Sequence, residues 1–402
     1  MIIKRRLKPY LLLALALFVV GAIMAEEVFA ADWFNEDWLY RRQITIDHNQ
    51  VVPPSTTYAD FPLLVFATGL SNINVNGTDI RFTASDGVTE LPRGIESYTG
   101  GTLYAWVKVT LTKDSSDSTD DVIYMYYGNP AATEPAPGST YGSENVWDSN
   151  FMMVQHLNET SGAHLDSTSN NNDSSTVNVT QQGQTGTAKI SGADEFTTDQ
   201  QIIIPDAVSL NFGGSSVTFS AWIYARTLGE FSQGGILSKR GTGGQGYRFE
   251  IDASNCWVGS ELLAWYGGAL CSTANAVTLN DWDYVVYSYD SVGDMSYIYV
   301  DGLQDNTLSS SSTNGDVTDN FLIGEWGGRS FDGFIDEVRI SNTNRSAGWI
   351  QTEFNNQNNP SSFLTISEQV SIPTMTEWGM IIFIILAGLG SIYYLRRKRI
   401  KV

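Results

Sequence analysis

What this chain has little of narrows its function first. Basic residues number 23 against 44 acidic ones, a formal charge of −21. That much negative charge repels DNA or RNA over most of the surface and argues against a nucleic-acid partner. There are three histidines, His48, His156 and His164, at spacings that match no metal motif. The sequence contains no G-x-S-x-G elbow, no H-E-x-x-H and no Cys/His couple, so the usual nucleophilic and zinc-dependent hydrolases are not in view. Convincing helical periodicity is missing from the body of the chain.

What is present is strand. The stretch from Leu279 to Gly302 holds two aromatic and β-branched runs, Trp282–Tyr289 and Met295–Val300. The polar segment Asp290–Asp294 joins them, which predicts a β-hairpin. In the first run Val285, Tyr287 and Tyr289 alternate with Trp282, Tyr284 and Val286, so both faces are apolar. Such a strand belongs inside a two-sheet sandwich.

The two ends read as targeting segments. Lys4, Arg5, Arg6 and Lys8 precede the apolar run Tyr10–Met24, and small residues follow, which predicts a signal peptide over residues 1–30 cut after Ala30. Trp378–Leu395 is apolar or small throughout. As a helix it would measure roughly 27 Å, enough to cross a bilayer core. Arg396, Arg397, Lys398, Arg399 and Lys401 follow and are expected to stay in the cytoplasm. With these ends and Glu26 and Glu27 set aside, the body carries 14 basic against 42 acidic residues. Residues 372–402 also resemble the IPTL-type C-terminal signals read by exosortase-like transpeptidases of Gram-negative bacteria. The resemblance rests on Ile372, Pro373, Thr374, Met375, Glu377, Trp378 and Gly379 ahead of the apolar helix and basic tail. Met375 stands where the usual leucine would. The resemblance implies display at the outer surface or in the extracellular matrix, with the helix anchoring the chain in the inner membrane before processing, a permanent single-span anchor being the alternative.

Between the ends two units are expected. In residues 33–147, Arg42–Ile46, Phe61–Phe66, Ile80–Thr83, Leu103–Leu111 and Val122–Tyr127 read as strands separated by turn signals, a first β-sandwich. WLYRRQITID (Trp38–Asp47), GTDIRFTASDGVTELP (Gly77–Pro92), LYAWVKV (Leu103–Val109) and IYMYYGNPAA (Ile123–Ala132) resemble a bacterial domain of unknown function found in secreted proteins, often ahead of a laminin-G-like domain. Thr133–Ser143 reads as a linker. Residues 148–367 hold many short strands and suit a jelly roll. HLNETSGAHLDSTSNNND (His156–Asp173), Ile202–Ala225, Ile236–Gly241, the hairpin and Phe321–Ser341 resemble the laminin-G-like, concanavalin A-type lectin/glucanase superfamily. The expected fold class is therefore all-β, two β-sandwich domains of which the second is a laminin-G-like jelly roll.

Three chemistries can be weighed on that fold. Glycosidases place two carboxylates on one face of a strand. Asp336 and Glu337 are adjacent and should point to opposite faces, while Asp281 and Asp283 alternate only at a strand entrance, so no catalytic residues are assigned. Asp166–Asp173 crowds hard oxygen ligands into one loop, chemistry that suits Ca²⁺. The resemblance implies a site at Asp166, Asn170 and Asn172 completed by Asp336, although Ser169 and Asn171 replace the usual glycines. Trp257, Trp265, Tyr266 and Trp326 are candidates for stacking on sugar rings. Cys256 and Cys271 are the only cysteines, and in an exported chain they are expected to form a disulfide, free thiols being the alternative. The sequence thus points to a surface binding or adhesion protein whose partner is a glycan or a surface protein. A glucanase-type hydrolase or lyase and a matrix component without a ligand are the rivals.

Overall fold

The computed structural model describes residues 33–53, 56–113, 119–240, 245–256, 259–309, 315–372, 381–382 and 384–393. The expected signal peptide, Trp257, and Pro373 to Gly379 of the sorting motif lie outside these residues. Among the described residues no helix is long and apolar enough to cross a membrane. Of the predicted span Trp378–Leu395, residues 381–382 and 384–393 are described, and they are helical.

The hairpin forms where its alternation puts it: Trp282–Asp290 pairs antiparallel with Met295–Val300, in the register Tyr287 opposite Ile298. It belongs to an eight-stranded sheet in which Val217–Ala225 runs between Gly333–Ser341 and Trp282–Asp290. A nine-stranded sheet faces it, centred on Gln233–Arg240, Gly246–Asp252 and Leu262–Tyr266. Between the two lies a core of Phe219, Tyr247, Phe249, Ile298, Ile323, Ile340 and their neighbours. Val285, Tyr287 and Tyr289 face this core as expected. The opposite face of the same strand does not meet a sheet. Tyr284 and Val286, with Trp222 and Tyr299, are covered by Ile350 and Phe354 of a helix, Ala347–Asn358.

The first sandwich is built from a three-stranded sheet, Thr56–Ala67, Thr102–Lys113 and Arg93–Thr99, facing a sheet that contains Tyr40–Ile46, Asp121–Tyr127 and Arg81–Thr83. Its core holds Ile44, Phe61, Leu63, Phe82, Trp106 and Met125, but also Phe151, Val154, Ile190, Trp349 and Phe363 from the second half of the chain. The Leu364–Ile366 strand is an edge of its larger sheet, pairing Thr365 with Thr45. Ile372 N donates to Leu39 O. The expected linker, Thr133–Ser143, is held against this sandwich: Arg93 N donates to Tyr141 O, and the Arg93 guanidinium pairs with Glu134.

The helix is a polar wedge between the sandwiches. Ser346 caps it by accepting from Trp349 N at 3.2 Å. Trp349 packs on Tyr58 and Phe61 of the first sandwich. Asn356 accepts from Leu64 N at 2.7 Å and donates to Leu64 O at 3.0 Å, standing in for a strand neighbour. Trp222 Nε1 donates to Gln357 Oε1 from the other side.

Candidate functional site

Two clusters of arginine, tryptophan and carboxylate stand out, one on the outside of the nine-stranded sheet and one between the sandwiches. On the Gly246–Asp252 strand, Tyr247, Phe249 and Ile251 point into the core, which sends Arg248, Glu250 and Asp252 to the outer face. Trp265 sits directly opposite Arg248 on the next strand. A short hairpin, Glu325–Trp326 with Arg329–Ser330, lies over this face. Gly327 and Gly328 give it a turn with φ of 57° and 78°, the geometry of a two-residue hairpin loop. Gly235 lets it lie close, since a Cβ there would come within 2.5 Å of the Glu325 carbonyl carbon.

The result is a stacked array. Arg248 lies 3.8 Å from the Trp326 ring centre and 5.6 Å from that of Trp265. Arg240 is 5.3 Å from each, and Arg329 is 4.6 Å from Trp326. Arg248 Nε lies 2.5 Å from Glu250 Oε1, close enough for an ion pair but poorly aligned as a hydrogen bond. Burial pushes the Glu250 carboxyl up to about 8, against the pull of Arg248 and with a further push from Asp252. Arg240 Nη1, Trp265 Nε1 and Trp326 Nε1 are enclosed, with no hydrogen-bond partner among the described residues. A cavity of about 470 Å³ opens beside the array, walled by Arg240, Trp326, Ser238, Leu322, Ile203 and Asp319.

Two of the stacking candidates therefore come together, Trp265 and Trp326, both half-buried. Tyr266 does not join them. It is the neighbour of Trp265, so the pleat turns it inward, where it is 1% exposed and donates to Ser215 O. Cys256 and Cys271 are disulfide-bonded at the end of the same sheet, with Cα atoms 5.8 Å apart.

The second cluster corrects the alternation argument for Asp336 and Glu337. The Gly333–Ser341 strand bulges there: Glu337 has φ of 53°, and the register against Val217–Ala225 slips between Ser220 and Trp222. Both carboxyls are fully buried. Glu337 lies 2.6 Å from His156 Nδ1 and 2.7 Å from Arg339 Nη2. Arg339 reaches on to Glu353 at 2.5 Å, and the Tyr284 hydroxyl donates to Glu353. Glu96 arrives from the first sandwich, 3.8 Å from His156 Nδ1, and accepts from Trp106 Nε1. Arg339 also lies 4.3 Å from the Trp106 ring centre and 5.0 Å from that of Trp147. Burial and the Glu337 charge push Glu96 up to about 7. Burial also raises Glu337, but His156 and Arg339 pull harder and hold it below the ordinary range. The side chains of Glu96 and Glu337 have no exposed surface, although Glu96 and His156 border a cavity of about 420 Å³. Asp281 is exposed and Asp283 is buried, accepting from Thr278 N, so they share no site either.

The loop proposed for calcium has a self-contained hydrogen-bond pattern. Asp166 accepts from Val154 N and Thr168 N through one oxygen, and from Thr168 Oγ1 and Asn172 N through the other. Asn170 and Asn172 turn their amide nitrogens to backbone carbonyls, including Met152 O. Asn171 takes the left-handed conformation usually given to glycine, with φ of 54°. Asp336 shares none of these partners and accepts from Lys189 N and Ile190 N. These residues are a poor fit to Ca²⁺, because every Asp166 lone pair already meets a protein donor. The groups of three or more acidic and histidine side chains close enough to share a cation, among the described residues, are Asp47–His48–Asp120 and Glu96–His156–Glu337.

No curated protein matches the chain. Among solved structures, the binding domain of Paraclostridial Mosquitocidal Protein 1 is 16% identical, covering 51% of this chain and 52% of that one at a TM-score of 0.41. Trypanosoma rangeli sialidase in complex with sialic acid is 13% identical, covering 68% and 46% at 0.39. Domain 4 of AbnA, an extracellular GH43 arabinanase from Geobacillus stearothermophilus in complex with arabinotriose, is 17% identical, covering 51% and 98% at 0.38. The chain spans about half the length of the first two. Family models match two stretches. Residues 76–175 match a domain of unknown function, DUF2341, and the match runs past the linker and the strand Phe151–Gln155, which gives Met153 to the second core and Phe151 and Val154 to the first. The chain thus carries a DUF2341 domain followed, over residues 196–351, by a domain of the concanavalin A-like lectin/glucanases superfamily.

Proposed function

We propose that this is an exported binding protein that holds a glycan on the outer face of the nine-stranded sheet. The observation that carries the reading is the pairing of Trp265 and Trp326 around Arg240 and Arg248 beside an open cavity, with neither indole N–H finding a partner among the described residues. Tryptophan offers an apolar body and one polar handle, which suits a sugar ring and its hydroxyls. The disulfide supports export, since such bonds persist in oxidising compartments.

A glycan array probed with the full chain, with Trp326→Ala and with Trp265→Ala tests this. Selective signals that fall at least tenfold in either variant are expected, with thermal melts showing that both remain folded. An array silent for the parent chain sinks the glycan reading and favours a structural component. Signals undiminished in both variants move the site elsewhere. Repeating the array in EDTA tests the calcium expectation, and assaying for released sugar tests the hydrolase.

A further inference from the structure

We propose that the glycan taken by this face carries an isolated acidic group, a carboxylate or a sulfate, on an otherwise uncharged chain. The inference rests on the glycan reading and sharpens it. Its first ground is what the array leaves free. Guanidinium groups already lie against both indoles, so part of the ring surface is taken by the protein's own cations. Arg240 Nη1, Trp265 Nε1 and Trp326 Nε1 are donors without a partner among the described residues, Glu250 beneath them being the enclosed carboxyl, and neither indole nor guanidinium can accept a hydrogen bond. A ligand that meets Arg240 and Trp326 at the cavity wall can bond to them only through acceptors.

The second ground is charge. In a chain with 44 acidic and 23 basic residues, carboxylate partners for a cation are plentiful. Among the described residues, neither Arg240 nor Arg329 forms an ion pair. Arg329 gives one donor to Gln233 and one to Gly327 O, two of the five a guanidinium carries. The acids of the face are occupied. Asp252 is bound by Gln233, Ser254 and Asn255. Glu250 is buried against Arg248, its carboxyl pushed up by burial. Glu325 accepts from Gly328 N. Asp319 on the cavity wall remains as the opposing charge. Arginine is the residue best shaped to grip a carboxylate or sulfate through two parallel bonds.

The acidity of the whole chain sets the limit. Beyond roughly 8 Å at physiological ionic strength the remote acids are largely screened, but a polymer with a charge on every unit extends past that range and meets them. One acidic unit among neutral ones does not.

The test is a panel of glycans in matched pairs, neutral and ending in one uronate, one sialate or one sulfate ester, titrated against the full chain. We expect at least tenfold tighter binding of one acidic member than of its neutral mate, an advantage that shrinks as salt is raised. Uronate, sialate and sulfate arms tell the acid sources apart. Arg240→Gln and Arg329→Gln should each bring the acidic-to-neutral ratio toward one. Equal affinity within every pair, with binding still lost in Trp326→Ala, overturns the acidic inference and leaves the glycan reading standing. An acidic advantage that survives in both arginine variants also overturns it, by moving the acid-binding group off this face. No binding to any member overturns both.

Discussion

The two arginine–tryptophan clusters use the same chemistry for opposite ends. Between the sandwiches, Arg339 stacks on Trp106 and Trp147 and is paired on both sides, with Glu337 and with Glu353. On the outer sheet, Arg240 lies between Trp265 and Trp326 with no carboxylate partner among the described residues. A buried charge is tolerable only when it is matched, so the inner cluster must satisfy Arg339 internally. The outer one borders a cavity and can leave donors to be met from outside. The lesson is that residue types do not distinguish a structural cluster from a binding one; the balance of partners does.

The largest effect that would break this comparison is at Arg339. Arg339→Ala leaves Glu353 buried without its cation and Glu337 with His156 alone, and is expected to cost about 3–5 kcal/mol in denaturant unfolding. A loss under 1 kcal/mol would show that the inner cluster does not hold the sandwiches together.

The next effect is a pH dependence specific to the inner cluster. Glu96 is raised from 4.5 to about 7 in the folded chain, so between those values the native state binds more protons than the unfolded one. Its contribution is present below pH 4.5 and is lost as pH rises through 7, by on the order of 3 kcal/mol. His156 is also raised, through the Glu337 charge acting against burial, and adds in the same direction above 6.5. Glu337 works the opposite way, its contribution being lost as pH falls through its depressed native value. Glu96→Gln should flatten the decline between pH 4.5 and 7 while leaving the acid limb in place. Identical pH profiles for the variant and the parent chain would rule out Glu96 as its source.

The smallest effect falls on the outer face. Arg240→Gln removes a half-buried cation with no ion pair, and its effect on unfolding should stay under about 1 kcal/mol. A cost near that of Arg339→Ala would mean that the outer array is structural too.

Much of this was readable in the sequence, and the failures have physical causes. The hairpin could be read because aromatic and β-branched residues alternate with period two, and the disulfide because the two cysteines had no other partner in the chain. Trp265 and Trp326 were found among the aromatics, but nothing local says that a glycine-turned hairpin lays one beside the other. The pleat that brings Arg248 and Trp265 outward also takes Tyr266 inward, and only the register across strands reveals which way it runs. GFIDEVRIS reads as plain alternation, and nothing in it marks the bulge at Glu337, whose side chain meets His156 and Arg339. The wedge helix escaped because much of its buried surface is polar. Thr352, Glu353, Asn356 and Gln357 are almost fully buried, so no apolar period marks it.

The Leu364–Ile366 strand carries a consequence for how the protein is made. Residues 33–127 leave the ribosome early, yet their larger sheet lacks an edge, and their core lacks Trp349 and Phe363, until nearly the whole chain has been synthesised. The contact from Val52 N to Thr352 Oγ1 joins positions 300 apart. Closing so long a loop is entropically slow, and contacts of this span delay folding. If the chain is exported as proposed, that delay has a use: a leading segment that cannot yet close is kept unfolded for translocation, and the last residues to cross supply what lets it close.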